Sequence, residues 1–546
     1  MTPAAQPVAA GAGRSLFDVV IIGAGMAGLY ALHKLRAFGF SARVLEKGGG
    51  VGGVWFWNRY PGARCDAESI EYSYSFSKEI QEEWVWTDVM ATQPEIEAYL
   101  NHVADRLDLR RDIQLHTTVT TMTFNEADAS WTVETDRGER FTARYVIAAT
   151  GVLSAAVEPD IAGSGAFQGV SLHTSRFPKE GFDFSGKRVG VIGTGSSGVQ
   201  SIPVVAAQAA HLHVFQRSAA YTFPSPARPF APGELDDLKA RYDEIRAEQR
   251  ASRFGAARLG AFAVMHTGMT PLKAASREEQ LRAIEERGVG GAVAWSDTFT
   301  DKEANHAARQ LYGEAIARVV KDPATAASLA PTYPLACKRP VVDLGYFQTF
   351  NRDNVTLVDL RKGGIERITP TGIQTTQGFF ELDVILYATG FDAMTGALKR
   401  IDIRGRGGAL LRDVWDTEGP VSYLGLQTAG FPNLFTITGP GSPSVMTVNL
   451  VIEDHVEWIA TCLAYLRDHG HRAIEATPEA QAAWTEQTWS AAEGTVFLEP
   501  SCNSWYIGAN VPGKKRVFLA YLGGIPTYRQ QCAEIAVAGY RGFRLG

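Results

Sequence analysis

The 546-residue chain has few cysteines, no long apolar run and no strong excess of either charge. Its cysteines are odd in number and widely spaced, which predicts neither a disulfide framework nor a zinc site. No apolar run reaches the length of a membrane span, and residues 1–15 lack the basic start and apolar core of a secretory signal. A net charge of −6 gives no broad attraction to nucleic acid. We therefore expect a cytoplasmic protein that binds no nucleic acid, no membrane and no metal. The cysteines are Cys65, Cys337, Cys462, Cys502 and Cys532.

Two glycine fingerprints of the form Gly-x-Gly-x-x-Gly stand out against this ordinary composition. Their glycines are Gly23, Gly25 and Gly28, and then Gly193, Gly195 and Gly198. Each follows a short apolar run, at the point where a buried strand is expected to turn into a helix, and that context makes the motif informative. We predict an α/β chain of two Rossmann-like dinucleotide-binding domains, each holding a pyrophosphate on backbone amides at a helix N-terminus.

The residues that follow the two fingerprints differ in charge. Glu46 ends a predicted strand at 42–45, where a carboxylate accepts hydrogen bonds from ribose hydroxyls and repels a 2′-phosphate. Arg217 ends a predicted strand at 213–216, and its guanidinium can grip a 2′-phosphate with two parallel hydrogen bonds. The first site is therefore predicted to hold FAD and the second NADPH or NADP⁺. Thr194, Ser196 and Ser197 lie in the turn that is predicted to hold the pyrophosphate of NADP. Ser218 follows Arg217 and is expected to offer its hydroxyl to the 2′-phosphate.

A short internal repeat indicates how the domains are arranged. Strand-like sequence ends in Ala-Thr-Gly at 149–151 and again at 388–390, where the chain is expected to pass between the FAD and NADP domains. The polar stretch between them is predicted to be helical, with a capping box at Ser276 and Glu279. One amphipathic helix is expected from the spacing of Leu235, Leu238, Tyr242 and Ile245. The predicted segments are an FAD domain at 1–150, an NADP domain at 151–223, a helical insertion at 224–332, NADP domain again at 333–389 and FAD domain again at 390–546.

Further motifs carry a likeness to a known family. The linker Phe167-x-Gly169-x-x-x-His173-x-x-x-Phe177-Pro178 resembles the signature of class B flavin-dependent monooxygenases, and the segment from Gly52 to Asp66 resembles the second motif of Baeyer–Villiger monooxygenases. The likeness continues through 337–339, 388–392, 439–443 and 503–506. The chain is thus similar over nearly its whole length to the type I Baeyer–Villiger monooxygenase family, most of all to its phenylacetone and steroid monooxygenase members. The strict linker motif has Trp at the place of Phe177, where N- and S-oxygenating flavin monooxygenases have Phe or Tyr.

The resemblance implies a reaction and a catalytic cation. In this family NADPH reduces FAD, the reduced flavin adds dioxygen to give a peroxyflavin, and the peroxide anion attacks a ketone to yield an ester or lactone. An anion in a dry pocket needs a fixed cation, because otherwise its pKa rises and it protonates. The resemblance gives that role to Arg339, which cannot lose its proton and would stabilise the tetrahedral adduct. It makes Asp66 the partner of Arg339.

Other roles implied by the resemblance each have a simpler alternative. Lys338 is expected to join Arg217 on the 2′-phosphate, although a solvated lysine would explain it. Trp505 is expected on the nicotinamide side of the site, although it could be a core aromatic. For His173 we favour hydrogen bonding in the linker over proton transfer. Residues expected to line or support the FAD pocket, with core packing as the alternative, are Val54, Trp55, Trp57, Tyr72 and Val119.

Two other functions remain open at this point. A heteroatom oxygenase would form N-oxides or sulfoxides with the neutral hydroperoxide and would not need Arg339. A non-catalytic nucleotide-binding flavoprotein on the same scaffold is the more remote alternative. The partners expected are a small-molecule ketone and dioxygen, and the chain is expected to be a monomer.

Overall fold

Two sheets organise the computed structural model, and a glycine fingerprint follows a central strand of each; the first sheet is mixed and the second is parallel throughout. The structure describes residues 15–255, 270–293, 295–444 and 447–546. The strands are β1 Ser15–Ile22, β2 Ala42–Leu45, β3 Ile113–Gln114, β4 Val119–Asn125, β5 Ser130–Thr135, β6 Arg140–Ala148, β7 Val170–His173, β8 Arg188–Ile192, β9 His211–Gln216, β10 Thr222–Pro224, β11 Val341–Asp343, β12 Val355–Asp359, β13 Ile365–Thr369, β14 Gly372–Thr375, β15 Gly378–Glu381, β16 Val384–Tyr387, β17 Asp402–Arg404, β18 Leu434–Thr436, β19 Ile474–Ala476 and β20 Phe543–Leu545.

Helices cover the sheets and form most of the region between 234 and 329. The α-helices are α1 Met26–Ala37, α2 Val54–Trp57, α3 Lys78–Glu83, α4 Gln93–Arg106, α5 Ser196–Gln208, α6 Glu234–Ala240, α7 Tyr242–Ala251, α8 Arg277–Arg287, α9 Lys302–Val319, α10 Pro323–Leu329, α11 Tyr346–Thr349, α12 Gly396–Lys399, α13 Leu411–Glu418, α14 Val448–Asp468, α15 Pro478–Ser490 and α16 Ile525–Val537. Short 3₁₀ turns lie at Arg110–Asp112, Ser164–Ala166, Thr174–Arg176, Leu272–Ala274, Gly288–Ala292, Arg406–Gly408, Val496–Leu498 and Trp505–Ile507.

The first sheet has the order β17-β4-β5-β6-β1-β2-β3, and β18 also pairs with β6. Strand β1 lies between β2 and β6 and is parallel to both. Its residues Val19, Val20 and Ile21 are fully buried, as expected for a central strand covered on both faces. The first fingerprint therefore begins at the carboxyl end of a central parallel strand, where open α/β sheets bind their ligands.

The second sheet has the order β12-β9-β8-β16-β7, and every pairing in it is parallel. Strand β8 has the same place in this sheet as β1 has in the first, so the second fingerprint also begins at the carboxyl end of a central strand. Strand β7 comes from the linker motif and forms an edge of this sheet. The α/β class and the two Rossmann-like units are thus as predicted, whereas the exact domain boundaries stay a prediction.

The region between 234 and 329 confirms the capping box and corrects one predicted helix. The side chain of Ser276 accepts from the backbone of Glu279, whose side chain in turn accepts from the backbone of Ser276. The expected single helix is instead two, α6 and α7, because Arg241 has φ −108° and ψ 14° and interrupts the helical backbone. The apolar stripe still packs into one hydrophobic cluster across this break.

One pair of cysteines departs from the sequence prediction. Cys337 and Cys502 form a disulfide, whereas Cys65, Cys462 and Cys532 are free and buried. The pair is separated by 165 residues, so only the fold brings the two sulfurs together. In the part of the chain that the structure describes, no helix has both the length and the apolar character needed to cross a bilayer.

Candidate active site

The first fingerprint is a tight turn in which two positions have no room for a side chain. Gly23 has φ +104°, and a Cβ there would lie 2.6 Å from the carbonyl oxygen of Ala149. A Cβ on Gly28 would lie 1.8 Å from the carbonyl oxygen of Gly23. Glycine is therefore required at both positions, because helix α1 packs directly against the turn and the end of β6.

The second fingerprint repeats this geometry. Gly193 has φ +110°, with a virtual Cβ 2.4 Å from the carbonyl oxygen of Ala388, and a Cβ on Gly198 would lie 2.2 Å from the oxygen of Gly193. Ala149 and Ala388 begin the two Ala-Thr-Gly sequences. The internal repeat thus has a structural cause, since each copy is the strand end against which a fingerprint turn packs.

Both fingerprints present a helix N-terminus that is open to an anion. Helix α1 is capped by Gly25 and helix α5 by Gly195, with no side-chain hydrogen bond at either cap and no acidic residue in either first turn. A Cβ on Gly195 would meet no atom of the described residues within 4 Å, so protein atoms do not crowd the start of α5. These features fit the pyrophosphate groups of two dinucleotides.

Glu46 is held rigidly beside the first fingerprint. It is 5% exposed, and its oxygens accept hydrogen bonds from the backbone nitrogens of Ala24 at 2.7 Å and Gly48 at 2.6 Å. Burial raises the pKa of Glu46, while these two amides act to lower it. Because a carboxylate can accept about four hydrogen bonds, capacity remains for ribose hydroxyls.

Two cations meet beside the second fingerprint. Burial, and then the like charge of Arg217, lower the pKa of Lys338. The Lys338 ammonium also lies 4.3 Å from the centre of the Tyr333 ring. Ser218, the residue after Arg217, is joined to the fingerprint turn, because its carbonyl oxygen accepts a hydrogen bond from the Thr194 hydroxyl at 2.8 Å. Two neighbouring cations are suited to a polyanionic ligand such as a 2′-phosphate, which would neutralise the repulsion between them.

The aromatic residues predicted around FAD lie near the turn between Gly52 and Asp66. Helix α2 carries Val54, Trp55 and Trp57, none of which is buried. The Trp55 indole nitrogen donates to the Tyr72 hydroxyl at 3.2 Å, with the two rings edge to face. Val119, in contrast, is 6% exposed and belongs to the core of the first sheet.

The same turn is bound to the second dinucleotide unit through Gln200 of helix α5. Gly62 has φ +79°, and a Cβ there would lie 2.4 Å from the carbonyl oxygen of Gln200. The Tyr60 hydroxyl donates to Gln200 Oε1 at 2.9 Å, and Gln200 Nε2 donates to the Arg64 carbonyl at 3.2 Å. These contacts bring the acidic end of the turn up to the second unit.

Asp66 and Arg339 meet at this boundary in a bidentate ion pair. Arg339 Nε lies 2.9 Å from Asp66 Oδ2, and Arg339 Nη2 lies 2.9 Å from Asp66 Oδ1. The side chains are 21% and 27% exposed, respectively. Burial acts to lower the pKa of Arg339, but the carboxylate of Asp66 outweighs it and raises that pKa. The guanidinium is therefore charged at every working pH and is fixed in its plane.

Tyr506, the last residue of the 503–506 motif, is a neighbour of Arg339 to which the sequence analysis gave no role. Its hydroxyl accepts a hydrogen bond from the Arg339 side chain, and its ring lies 3.9 Å from that of Trp505. Burial raises the pKa of Tyr506 to about 12, although Arg339 acts to lower it, so the hydroxyl keeps its proton at neutral pH. The 3₁₀ turn Trp505–Ile507 thus places Trp505 beside the catalytic candidate.

Comparison with known proteins identifies the family. A Baeyer–Villiger monooxygenase of Pseudooceanicola batsensis is 43% identical over 535 residues, which cover 96% of this chain and 95% of that protein. A phenazine N-monooxygenase of Lysobacter antibioticus is 41% identical over 97% of both chains. The family model for pyridine nucleotide-disulphide oxidoreductases matches residues 20–252. The chain belongs to the Baeyer–Villiger monooxygenases.

Solved structures agree with this family and its cofactors. An oxidised steroid monooxygenase bound to NADP matches with a TM-score of 0.90 and 49% identity, covering 97% of this chain and 99% of that one. The enzyme OTEMO in complex with FAD and NADP matches with a TM-score of 0.91 and 38% identity, covering 98% and 100%. This Baeyer–Villiger monooxygenase is accordingly an FAD- and NADPH-dependent enzyme.

In this Baeyer–Villiger monooxygenase, the side chains of the linker motif form hydrogen bonds and packing contacts with neighbouring segments. His173 uses both ring nitrogens, with Nδ1 accepting from the Ser175 amide at 3.1 Å and Nε2 lying 3.1 Å from the Thr389 hydroxyl. Burial lowers the pKa of His173, so the ring is neutral at neutral pH. Phe177 is buried and stacks on Phe184. His173 thus joins the linker to Thr389 by hydrogen bonds, and Phe177 joins it to Phe184 by packing.

Proposed function

We propose that this enzyme uses NADPH and dioxygen to convert a ketone into an ester or lactone, with Arg339 as the cation at the reacting carbonyl. The bidentate pair between Asp66 and Arg339, at the boundary of the two dinucleotide units, is the observation that carries the proposal. A ketone substrate also agrees with the family to which the chain belongs.

The geometry suits the chemistry. FAD, once bound and reduced by NADPH, supplies the activated oxygen. Arg339 presents a permanent positive charge where negative charge develops on the carbonyl oxygen of the ketone, and a charge fixed in advance needs no reorganisation during the reaction. Asp66 holds the guanidinium through Nε and Nη2 and so sets the direction of the remaining edge. Tyr506 supports the same group from the C-terminal segment.

We assign the other predicted residues to the two cofactors. FAD would lie on the first fingerprint with Glu46 at its ribose, and Val54, Trp55, Trp57, Tyr72 and Val119 would surround or support it. NADP would lie on the second fingerprint, with Arg217 and Lys338 at its 2′-phosphate and Trp505 on the nicotinamide side. The division of the chain into an FAD domain, an interrupted NADP domain and a helical insertion belongs to this proposal. Cytoplasmic location and the monomeric state stay predictions from the sequence.

Oxygenation of nitrogen is a second candidate, favoured by two observations. One relative is a phenazine N-monooxygenase at 41% identity, and Phe177 has the residue type of heteroatom-oxygenating enzymes. Attack by an amine or thioether on an electrophilic oxygen needs no cation at a carbonyl. The Asp66–Arg339 pair therefore favours ketone oxidation as the main activity.

The test is substitution of Arg339 by alanine, with Arg339→Lys as a control that retains the charge but not the bidentate pairing. We expect Arg339→Ala to lower ester formation about 100-fold or more, as removal of one preorganised charge contact does, while NADPH still reduces the flavin. Products from a panel of ketones, thioethers and aromatic amines are identified by mass spectrometry. Ester formation by Arg339→Ala at a near-normal rate would refute the role of Arg339, and N-oxides as the dominant wild-type product would favour the second candidate.

A further inference from the structure

The Cys337–Cys502 disulfide joins the two segments that carry the catalytic candidates. Cys337 directly precedes Lys338 and Arg339 in the chain, and Cys502 is three residues before Trp505. A single covalent bond therefore connects the segment that contains Lys338 and Arg339 to the segment that contains Tyr506, a hydrogen-bond partner of Arg339. The same disulfide forms a small apolar cluster with Val496, and Phe299 and Tyr333 connect this cluster to the hydrophobic core of the second unit.

The segment around Cys502 lies near the surface, where Lys302 pairs with Glu499 at 2.6 Å and Arg516 donates to Asn503 at 3.3 Å. Pro500, Ser501 and Asn503 are exposed, whereas Cys502 itself is fully buried. The stretch is irregular, and the Cys502 amide donates within its own turn, to the Glu499 carbonyl at 2.9 Å. Displacement of these few residues would expose the sulfurs without unfolding a helix or strand, and local openings of this kind are inexpensive compared with global unfolding.

The three remaining thiols are poor competitors for this pairing. Cys65, Cys462 and Cys532 are buried in the hydrophobic core around strand β1 and helix α1, and burial raises the pKa of each thiol. Because the thiolate is the reactive form, these groups exchange slowly with disulfides. Cys337 and Cys502 are also buried, but they already form a disulfide and Cys502 is flanked by exposed residues, so a reductant reaches this bond through local opening.

We propose that Cys337 and Cys502 form a thiol-redox site that fastens the Trp505–Ile507 turn against Arg339. A small dithiol reduces it, so that the bond between the two sulfurs breaks, each cysteine gains one electron and one proton, and the dithiol leaves as its own disulfide. Reduction leaves the turn attached to the Arg339 segment by noncovalent contacts, including the hydrogen bond to Tyr506. The consequence for catalysis rests on the proposed role of Arg339, whereas the redox site and its structural effect do not.

The first experiment counts thiols in the purified holoenzyme. The air-exposed protein is denatured and alkylated without reductant, and mass spectrometry locates the labels. We expect labels on Cys65, Cys462 and Cys532 alone, and on all five cysteines after treatment with dithiothreitol. Labelling of all five before reduction would overturn the proposal.

The second experiment measures amide hydrogen exchange in the peptide that contains the Trp505–Ile507 turn. Dithiothreitol should accelerate the exchange of this peptide about 10-fold or more in the wild type, because local opening becomes easier. The Cys502→Ala variant lacks the disulfide, so it should exchange as fast as the dithiothreitol-treated wild type, with or without dithiothreitol. Cys532→Ala is the matched control, because it removes a buried thiol outside the disulfide and should respond to dithiothreitol as the wild type does. Equal exchange in the oxidised and reduced wild type would contradict the fastening role.

A third measurement separates this proposal from the proposed function. Reduction should increase the NADPH consumed per ester formed by about two- to fivefold, because a loosened Trp505 turn shields the site from water less well. An enzyme that makes no ester in any redox state, yet shows the expected thiol count and exchange, would refute the catalytic proposal and support the redox site. If reduction left the NADPH consumed per ester unchanged, the disulfide would have no effect on catalysis.

Discussion

Beside the first fingerprint the charged residue is buried and fixed, whereas beside the second it is exposed and shares its surroundings with a like charge. Glu46 is 5% exposed and accepts from two backbone amides, while Arg217 is exposed and lowers the pKa of the adjacent Lys338. The backbone turns around the two sites are nearly the same, with positive φ at Gly23 and Gly193. In the proposed assignment, the shared backbone geometry holds the pyrophosphate that the two nucleotides have in common, and the side chains distinguish the nucleotides.

The difference has a physical meaning for binding. A carboxylate already held in place by two backbone amides is preorganised, so a ligand that adds hydroxyl donors loses little in ordering it. Two cations that repel each other gain stability when a phosphate neutralises both, so the second site is suited to a ligand that carries additional negative charge. We therefore expect nucleotide binding at the first site to depend mainly on shape, and nucleotide binding at the second site to depend mainly on electrostatics.

The largest effect on cofactor binding is expected when a glycine of the close-packed turn is replaced by alanine, first at one site and then at the other. Gly28→Ala would place a Cβ 1.8 Å from the Gly23 oxygen, and we expect the protein to lose most of its FAD, with binding weakened about 10-fold or more by a clash of this severity. Gly198→Ala would instead keep FAD and raise the Kd for NADPH. The flavin absorbance per chain and fluorescence titration with NADPH measure the two effects. If Gly28→Ala retained full flavin content after reconstitution and gel filtration, the close packing of this turn would not be needed for FAD.

Much of this architecture is predictable because it depends on local sequence. The strand, turn and helix of each fingerprint are contiguous, and their glycines are required by contacts within a unit of about 30 residues or by the strand end that each turn meets. The capping box at Ser276 follows from positions three residues apart. The break at Arg241 was not predictable from the apolar stripe, because that stripe continues across two helices.

The remaining site contacts depend on the assembled fold. Asp66 and Arg339 are far apart in sequence, and their pairing entered through family resemblance alone. The contact of Tyr506 with Arg339 and the Cys337–Cys502 disulfide had no local signal, since neither residue spacing nor periodicity encodes which distant segments meet. The neighbouring position of Trp505 in the 503–506 motif was the one available indication that this segment belongs to the site.

An intermediate effect is expected when the electrostatic side of the comparison is removed. Arg217→Ala should lower kcat/KM for NADPH about 10- to 100-fold, the equivalent of one charge-assisted hydrogen bond, and should leave kcat/KM for NADH nearly unchanged. Steady-state rates with both nucleotides give the ratio. Arg352→Ala, an exposed arginine of the same part of the chain that contacts Asn354, serves as the control and should change neither value. Equal losses with NADPH and NADH would show that Arg217 acts on the fold rather than on the 2′-phosphate.

The smallest effect concerns pH and tests whether the two cations interact as the structure indicates. Burial and the charge of Arg217 lower the pKa of Lys338, so its ammonium loses its proton at a less alkaline pH than an ordinary lysine. The protonated form binds the 2′-phosphate, and kcat/KM for NADPH should therefore fall as pH rises through that lowered pKa. We expect a loss of about two- to fivefold, typical of one partly screened charge contact, with little change for NADH. Lys338→Ala should abolish the alkaline loss specific to NADPH, and Arg217→Ala should move it to higher pH because the repelling charge is gone. A profile that Arg217→Ala did not move would mean that burial alone sets the pKa of Lys338.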